Sequence, residues 1–207
     1  MTTLIVVSGP PASGKTALAR ELALRLAVPY YGRDVIQEAL FDGLGWSDRA
    51  HSRELGRASV TVLFAMLREA LLAGADCVAE SNFRRSISCP DLRALLEETG
   101  ARAVQVQCGA RGDVLLDRFT ARAASPERHP GHRDTANIEE FRAELLAGSY
   151  APLDIPGPLI TLDTTDFTAL DLTAITTQLN TLIRDDAPPL TSLSGERPQT
   201  PLTPHAR

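Results

Sequence analysis

The sequence has no excess of basic charge: 21 Lys and Arg face 26 Asp and Glu, a formal charge of −5 over 207 residues. A surface of that sign does not attract nucleic acid or anionic lipid in general, so any polyanion site has to be local. Cysteine is scarce. Cys77, Cys89 and Cys108 show neither paired nor metal-ligand spacing, which excludes a disulfide framework and suits reduced, buried thiols in a cytoplasm. No apolar run reaches the roughly 20 residues of a membrane helix, and the N-terminus lacks the charged start and cleavage site of an export signal. Aromatic residues make up 5%, with Trp46 the single tryptophan, and this argues against a stacking platform for single-stranded nucleic acid. The remaining composition, 43% hydrophobic and 23% charged, is that of an ordinary globule with one core.

Against this plain background one stretch stands out. Residues 4–7 are an apolar run, Leu-Ile-Val-Val, which leads through Ser8 into Gly9-Pro10-Pro11-Ala12-Ser13-Gly14-Lys15-Thr16. This is a complete Walker A phosphate loop between a buried strand and a helix start. The glycines let backbone N–H groups turn inward on a triphosphate, and the helix N-terminus favours an anion. Lys15 is placed to reach the β- and γ-phosphates, and the Thr16 hydroxyl to ligate Mg²⁺. The motif therefore predicts an ATP site over Gly9–Thr16, with Lys15 also catalytic.

Along the rest of the chain, helical spacing predicts helices at 15–27, 35–41, 52–73, 90–99, 112–124, 138–146 and 170–183. Buried strands are predicted at 2–8, 30–31, 76–80, 103–108 and 159–162. Residues 43–52, with Gly43, Gly45 and Ser47, read as a substrate-facing loop. Residues 125–133, polar, basic and broken by two prolines, read as part of a mobile lid spanning about 112–135. The alternation predicts an α/β fold of parallel strands with helices on both faces, and a site at the carboxyl ends of the strands. Residues 1–184 form the predicted kinase domain, and the Pro- and Thr-rich residues 185–207, without an aromatic side chain, form a disordered tail.

Several residues converge on the loop. Asp34 lies at the end of the second strand, where a carboxylate can accept the proton of an attacking hydroxyl; it would also serve as a helix N-cap. Glu80 ends an apolar strand, a place for a carboxylate that holds the Mg²⁺ hydration shell. Arg118 and Arg122, one turn apart, together with Arg128 and Arg133, give the lid a local positive charge that can stabilise a phosphoryl group in transit. Arg33, Gln37, Asn82, Arg84 and Arg85 lie where an acceptor would meet them. His129 and His132 lack a third ligand for a metal.

Gly9–Thr16, Asp34, the Glu80-Ser81-Asn82-Phe83 strand end and Arg118-x-x-x-Arg122 together resemble small P-loop kinases of the AAA-type ATP-binding group. That group includes chloramphenicol phosphotransferase, the zeta-toxin kinases and polynucleotide 5′-hydroxyl kinase. The resemblance covers about residues 3–183. It implies a P-loop NTPase fold with five parallel strands, the P-loop strand central, and a helical lid. It implies Asp34 as general base, Arg118 and Arg122 on phosphates, and Asp163-Thr164-Thr165 as the turn lining the adenine pocket. Two positions depart from the group: Gln37 stands where an arginine is common, and Glu80 where Asp is frequent.

The expected activity is transfer of the γ-phosphoryl group of ATP, with Mg²⁺, to a hydroxyl of a small molecule by a cytoplasmic monomer or homodimer. The alternatives are a polynucleotide 5′-hydroxyl kinase and an ATPase switch with no acceptor.

Overall fold

In the computed structural model, which describes residues 1–184, the first strand β1 (Thr3–Ser8) is buried at every position. Successive side chains of a strand point to opposite faces, so Leu4 and Val6 serve one core while Ile5 and Val7 serve another. The other strands are β2 (Tyr30–Gly32), β3 (Cys77–Glu80), β4 (Arg102–Gly109) and β5 (Leu159–Asp163). They form one sheet in the order β2-β3-β1-β4-β5, and every pairing is parallel. The P-loop strand is central, as expected.

The helices are α1 (Lys15–Leu26), α2 (Arg33–Leu44), α3 (Arg49–Leu72), α4 (Arg85–Thr99), α5 (Gly112–Ala123), α6 (Asp134–Leu146) and α7 (Leu172–Arg184). One face of the sheet is covered by α3 and α4, through Leu63, Leu67, Leu71, Leu92, Leu95 and Leu96. The other is covered by α1 and α7, through Leu18, Leu22, Ile175 and Leu179. Cys77, Cys89 and Cys108 are free and buried in these cores. Burial pushes the thiols of Cys77 and Cys108 up to about 12, so neither is a nucleophile at neutral pH. A third, smaller cluster, Leu115, Phe119 and Leu145, joins α5 to α6 where the sequence places the lid.

The structure differs from the sequence reading at several element ends. Residues 43–52 are not one loop, because α2 runs to Leu44 and α3 begins at Arg49. Gly43 is accommodated in the last turn of α2, and Gly45, at φ 83°, ends it. Asp48 caps α3 by accepting the His51 N–H at 2.9 Å. Helix α4 starts five residues before Pro90, which lies inside it. Its first turn is closed at Arg84, whose carbonyl accepts from Ser88 N and whose N–H donates to Ser88 Oγ. Helices α2 and α6 also begin earlier than the apolar spacing indicates. The proposed tail, 185–207, lies outside the described residues. No helix among the described residues is long and apolar enough to cross a membrane.

Candidate active site

The phosphate loop turns between β1 and α1 with Gly9 at φ 149° and Gly14 at φ 78°. Both are left-handed values that favour glycine, and a Cβ on Gly9 would run into the Cys108 carbonyl. Helix α1 opens with no side-chain cap and no acidic residue in its first turn, which leaves its first N–H groups for an anion. Ser13 is fully buried and its Oγ has no hydrogen-bond partner. An orphaned donor inside such a loop suits a phosphate oxygen.

Lys15 is buried, its Nζ 3.3 Å from Pro10 O and 3.9 Å from Glu80 Oε1. Burial lowers its pKa, while Glu80 and Asp34 push it back up. The β1–β3 register sets Val7 beside Glu80, so the carboxylate ends its strand next to the loop. Glu80 Oε2 accepts from Thr16 Oγ1 at 3.2 Å and from Tyr30 Oη at 3.0 Å. A hydroxyl and a carboxylate this close fit Mg²⁺, which takes few protein oxygens and keeps several waters. Among the described residues no group of three or more His, Cys, Asp or Glu is gathered for a metal. His129 and His132 flank Phe41, with ring centroids at 5.1 and 5.3 Å, and lie against Asp42 and Glu38.

Asp34 sits in the first turn of α2. Its Oδ2 accepts from Arg128 Nη1 at 3.2 Å, and Arg33 lies 3.9 Å from Oδ1. Burial raises its pKa, but Arg33, His132, Arg128 and Lys15 outweigh burial and hold the carboxyl well below the usual range. Asp134, at the start of α6, accepts from Arg122 at 3.2 Å and Arg128 at 2.8 Å and so aims both guanidinium groups. The contact of Arg128 with Asp34 spans 94 residues, a pairing the linear chain does not announce.

Arg118 is turned elsewhere. It donates to the carbonyls of Thr164 and Thr165, each at 2.9 Å. Thr164, fully buried, donates to Ser13 O at 2.7 Å, so the turn after β5 is fastened to the phosphate loop. Asp163 accepts from Thr165 N and shapes that turn.

Two cavities meet here. One, of about 440 Å³, is lined by Gly14, Thr16, Arg20 and Arg118. The other, of about 540 Å³, is lined by Arg33, Gln37 and Asn82, by the α3 face from Arg49 to Val60, and by Phe119 and Phe141. Lys15, Asp34, Arg122 and Arg128 line both, so they form the seam between them. Arg84 and Arg85 are not gathered into either cavity. Arg84 pairs with Glu144 and lies over Tyr150, and Arg85 lies 3.7 Å from Asp154.

The arrangement sets two adjoining cavities around one carboxylate, Asp34, with the cations Lys15, Arg122 and Arg128 lining both. Together with the parallel sheet around the phosphate loop, it defines a kinase-like P-loop NTPase. The family model described as an AAA domain matches residues 4–146, and the chain belongs to that family. It is 30% identical over 155 residues to a cytidylate kinase of Paramagnetospirillum magneticum, covering 70% of this chain and 68% of that protein. The crystal structure of a Chloroflexus aurantiacus protein assigned as a kinase is similar at a TM-score of 0.81 and 38% identity, over 87% of this chain and 98% of that one. Kti12 of Chaetomium thermophilum, solved with ADP-AlF3, shares the fold at a TM-score of 0.62 and 20% identity, over 87% and 98% of the two chains.

Proposed function

We propose that the protein is an ATP- and Mg²⁺-dependent phosphotransferase that moves the γ-phosphoryl group of ATP to a hydroxyl of a small molecule. The observation that carries this is the seam: Asp34, Lys15, Arg122 and Arg128 line the nucleotide cavity and its neighbour at once. The backbone N–H groups of Gly9–Thr16 cradle the phosphates, and Lys15 meets the β- and γ-oxygens. Thr16 and Glu80 would hold Mg²⁺, which neutralises charge on those oxygens when bound. Arg118 and the Asp163–Thr165 turn form the wall on the base side.

In the transfer, Asp34 takes the proton of the acceptor hydroxyl as its oxygen bonds to the γ-phosphorus and the bond to the β–γ bridging oxygen breaks, releasing ADP. Arg128 donates to Asp34 at 3.2 Å. Once Arg128 and Arg122 turn to the moving phosphoryl group, Asp34 loses one of the cations that depress its pKa, Arg33 remaining beside it, and becomes a better base. The narrower likeness to chloramphenicol phosphotransferase and the zeta-toxin kinases is supported by Asp34 and Arg122 in these roles.

An Asp34→Asn protein tests the assignment. Transfer of label from γ-labelled ATP should fall by roughly 10²- to 10⁴-fold, with affinity for a non-hydrolysable ATP analogue retained. Transfer at the wild-type rate would remove Asp34 from the chemistry. The cytidylate kinase relative favours a second reading, a phosphate group as acceptor. Such an acceptor has no proton to lose, so Asp34→Asn would be mild, and ³¹P NMR of the product would show a phosphoanhydride in place of a phosphomonoester. A 5′-hydroxyl oligonucleotide and an acceptor-free reaction cover the nucleic-acid and switch alternatives.

A further inference from the structure

We infer that the acceptor carries, besides its reacting hydroxyl, an anionic phosphate or carboxylate group that is bound by Arg33 and the arginines of α3. This rests on the phosphotransferase reading and names the substrate class it serves.

Arg49, Arg53 and Arg57 are spaced four apart on α3, and all three line the larger cavity with Ser52, Gly56 and Val60. Residues four apart share a helix face, so the stripe is presented to the cavity as one surface. Arg33 enters from α2 beside it, with its guanidinium close to Gly56. None of these four lines the nucleotide cavity. The triphosphate engages Lys15 and the lid arginines, and the α3 group is left for the other molecule.

The charge there is far from balanced. The larger cavity is lined by seven cationic side chains and only two carboxylates, Asp34 and Asp134, in a chain whose formal charge is −5. Arg49 and Arg53 share one carboxylate, Glu140, at 2.9 and 3.1 Å. The Arg57 carbonyl accepts from Thr61 Oγ1, but its guanidinium has no hydrogen bond or ion pair to any described residue.

A second observation is independent of charge. Among the described residues three buried side-chain polar atoms lack a partner: Ser13 Oγ in the phosphate loop, and the Nε atoms of Arg49 and Arg122, two residues whose side chains line this cavity. Unmet guanidinium N–H groups leave donors for an acceptor, and the planar fork matches the oxygens of a phosphate or carboxylate. A neutral acceptor would leave this donor array unused.

Matched pairs of compounds test the inference: ribose against ribose 5-phosphate, and glucose against glucuronate. Each is measured for label transfer from γ-labelled ATP, and for binding by calorimetry with a non-hydrolysable ATP analogue present. The charged member should be preferred by at least tenfold, and the two pairs separate phosphate from carboxylate. Arg57→Gln and Arg33→Gln should each weaken binding of the charged member by roughly 10- to 100-fold. Arg68→Gln, on a residue of α3 paired outside the cavity with Glu98, serves as the control.

Binding of the charged compound that depends on Arg57, but without transfer, would keep the anion site and sink the phosphotransferase reading. Transfer to the neutral compound at equal or better efficiency would do the reverse. Absence of Arg57-dependent binding by ribose 5-phosphate, glucuronate and inorganic phosphate alike would also overturn the inference.

Discussion

In the proposed phosphotransferase, the nucleotide side of the cleft is made mostly of backbone, from eight consecutive residues and the turn that Thr164 fastens to them. The acceptor side is made of side chains drawn from α2, α3, the lid segment and α6. The first surface recognises phosphate by the direction of N–H groups and admits little variation, since a Cβ on Gly9 collides with Cys108 O. The second would recognise its ligand by charge and reach, through side chains that a single substitution changes. On this reading a fixed donor site faces an adjustable acceptor site, and Asp34, which lines both cavities, stands where they meet.

Lys15→Ala should give the largest break in that contrast. It removes the one side-chain cation buried in the phosphate loop, so kcat should fall by about 10³-fold, while calorimetric affinity for the acceptor stays within a few-fold. Equal loss of acceptor affinity would show that the two sides are not separable. Arg118→Ala sharpens the contrast from the other direction. Its two hydrogen bonds hold the turn after β5, so affinity for a fluorescent ATP analogue should drop about tenfold with acceptor affinity unchanged.

The smallest effect is expected at His132, which sits on the acceptor side with Nε2 2.8 Å from Glu38. Burial lowers its pKa, with Arg128 pushing the same way, against Asp34 and Glu38. As pH falls below about 6.5, the ordinary histidine value, the unfolded chain binds a proton that the folded protein resists, so stability decreases toward acid. Between pH 7.5 and 5.5 the Tm of His132→Gln should fall less than that of the wild type, by about 1–2 °C. Parallel curves in differential scanning calorimetry would contradict this.

The same division explains what could be read from the amino-acid order. Gly9–Thr16 is contiguous, its residue types are dictated by a phosphate at close range, and the flanking strand and helix show in the apolar pattern. Asp34 and Glu80 follow because each lies at the end of a recognisable strand. The acceptor wall was hidden by helix ends. Gly43, Gly45 and Ser47 suggest a loop through residue 52, which takes Arg49 off the helix and dissolves the stripe with Arg53 and Arg57. Pro90 reads as a helix start, which turns Arg84 and Arg85 into loop residues aimed at the site. In the fold Arg84 caps α4 and pairs with Glu144, and Arg85 opens the helix and lies near Asp154, which also pairs with Arg93. Arg128 depends on the path of the lid segment, which places it on Asp34, whereas Arg118, legible by its spacing, braces a turn.

Ala12 of the phosphate loop packs against the lid cluster of Leu115, Phe119 and Leu145, and it does so from a left-handed φ of 63°. Linkage makes such a contact a two-way coupling: any factor by which nucleotide favours one lid position is the factor by which that position favours nucleotide. On the proposed reading, substitutions at Leu115 or Leu145 in that small core would tune how firmly nucleotide is held, without touching a residue that lines either cavity.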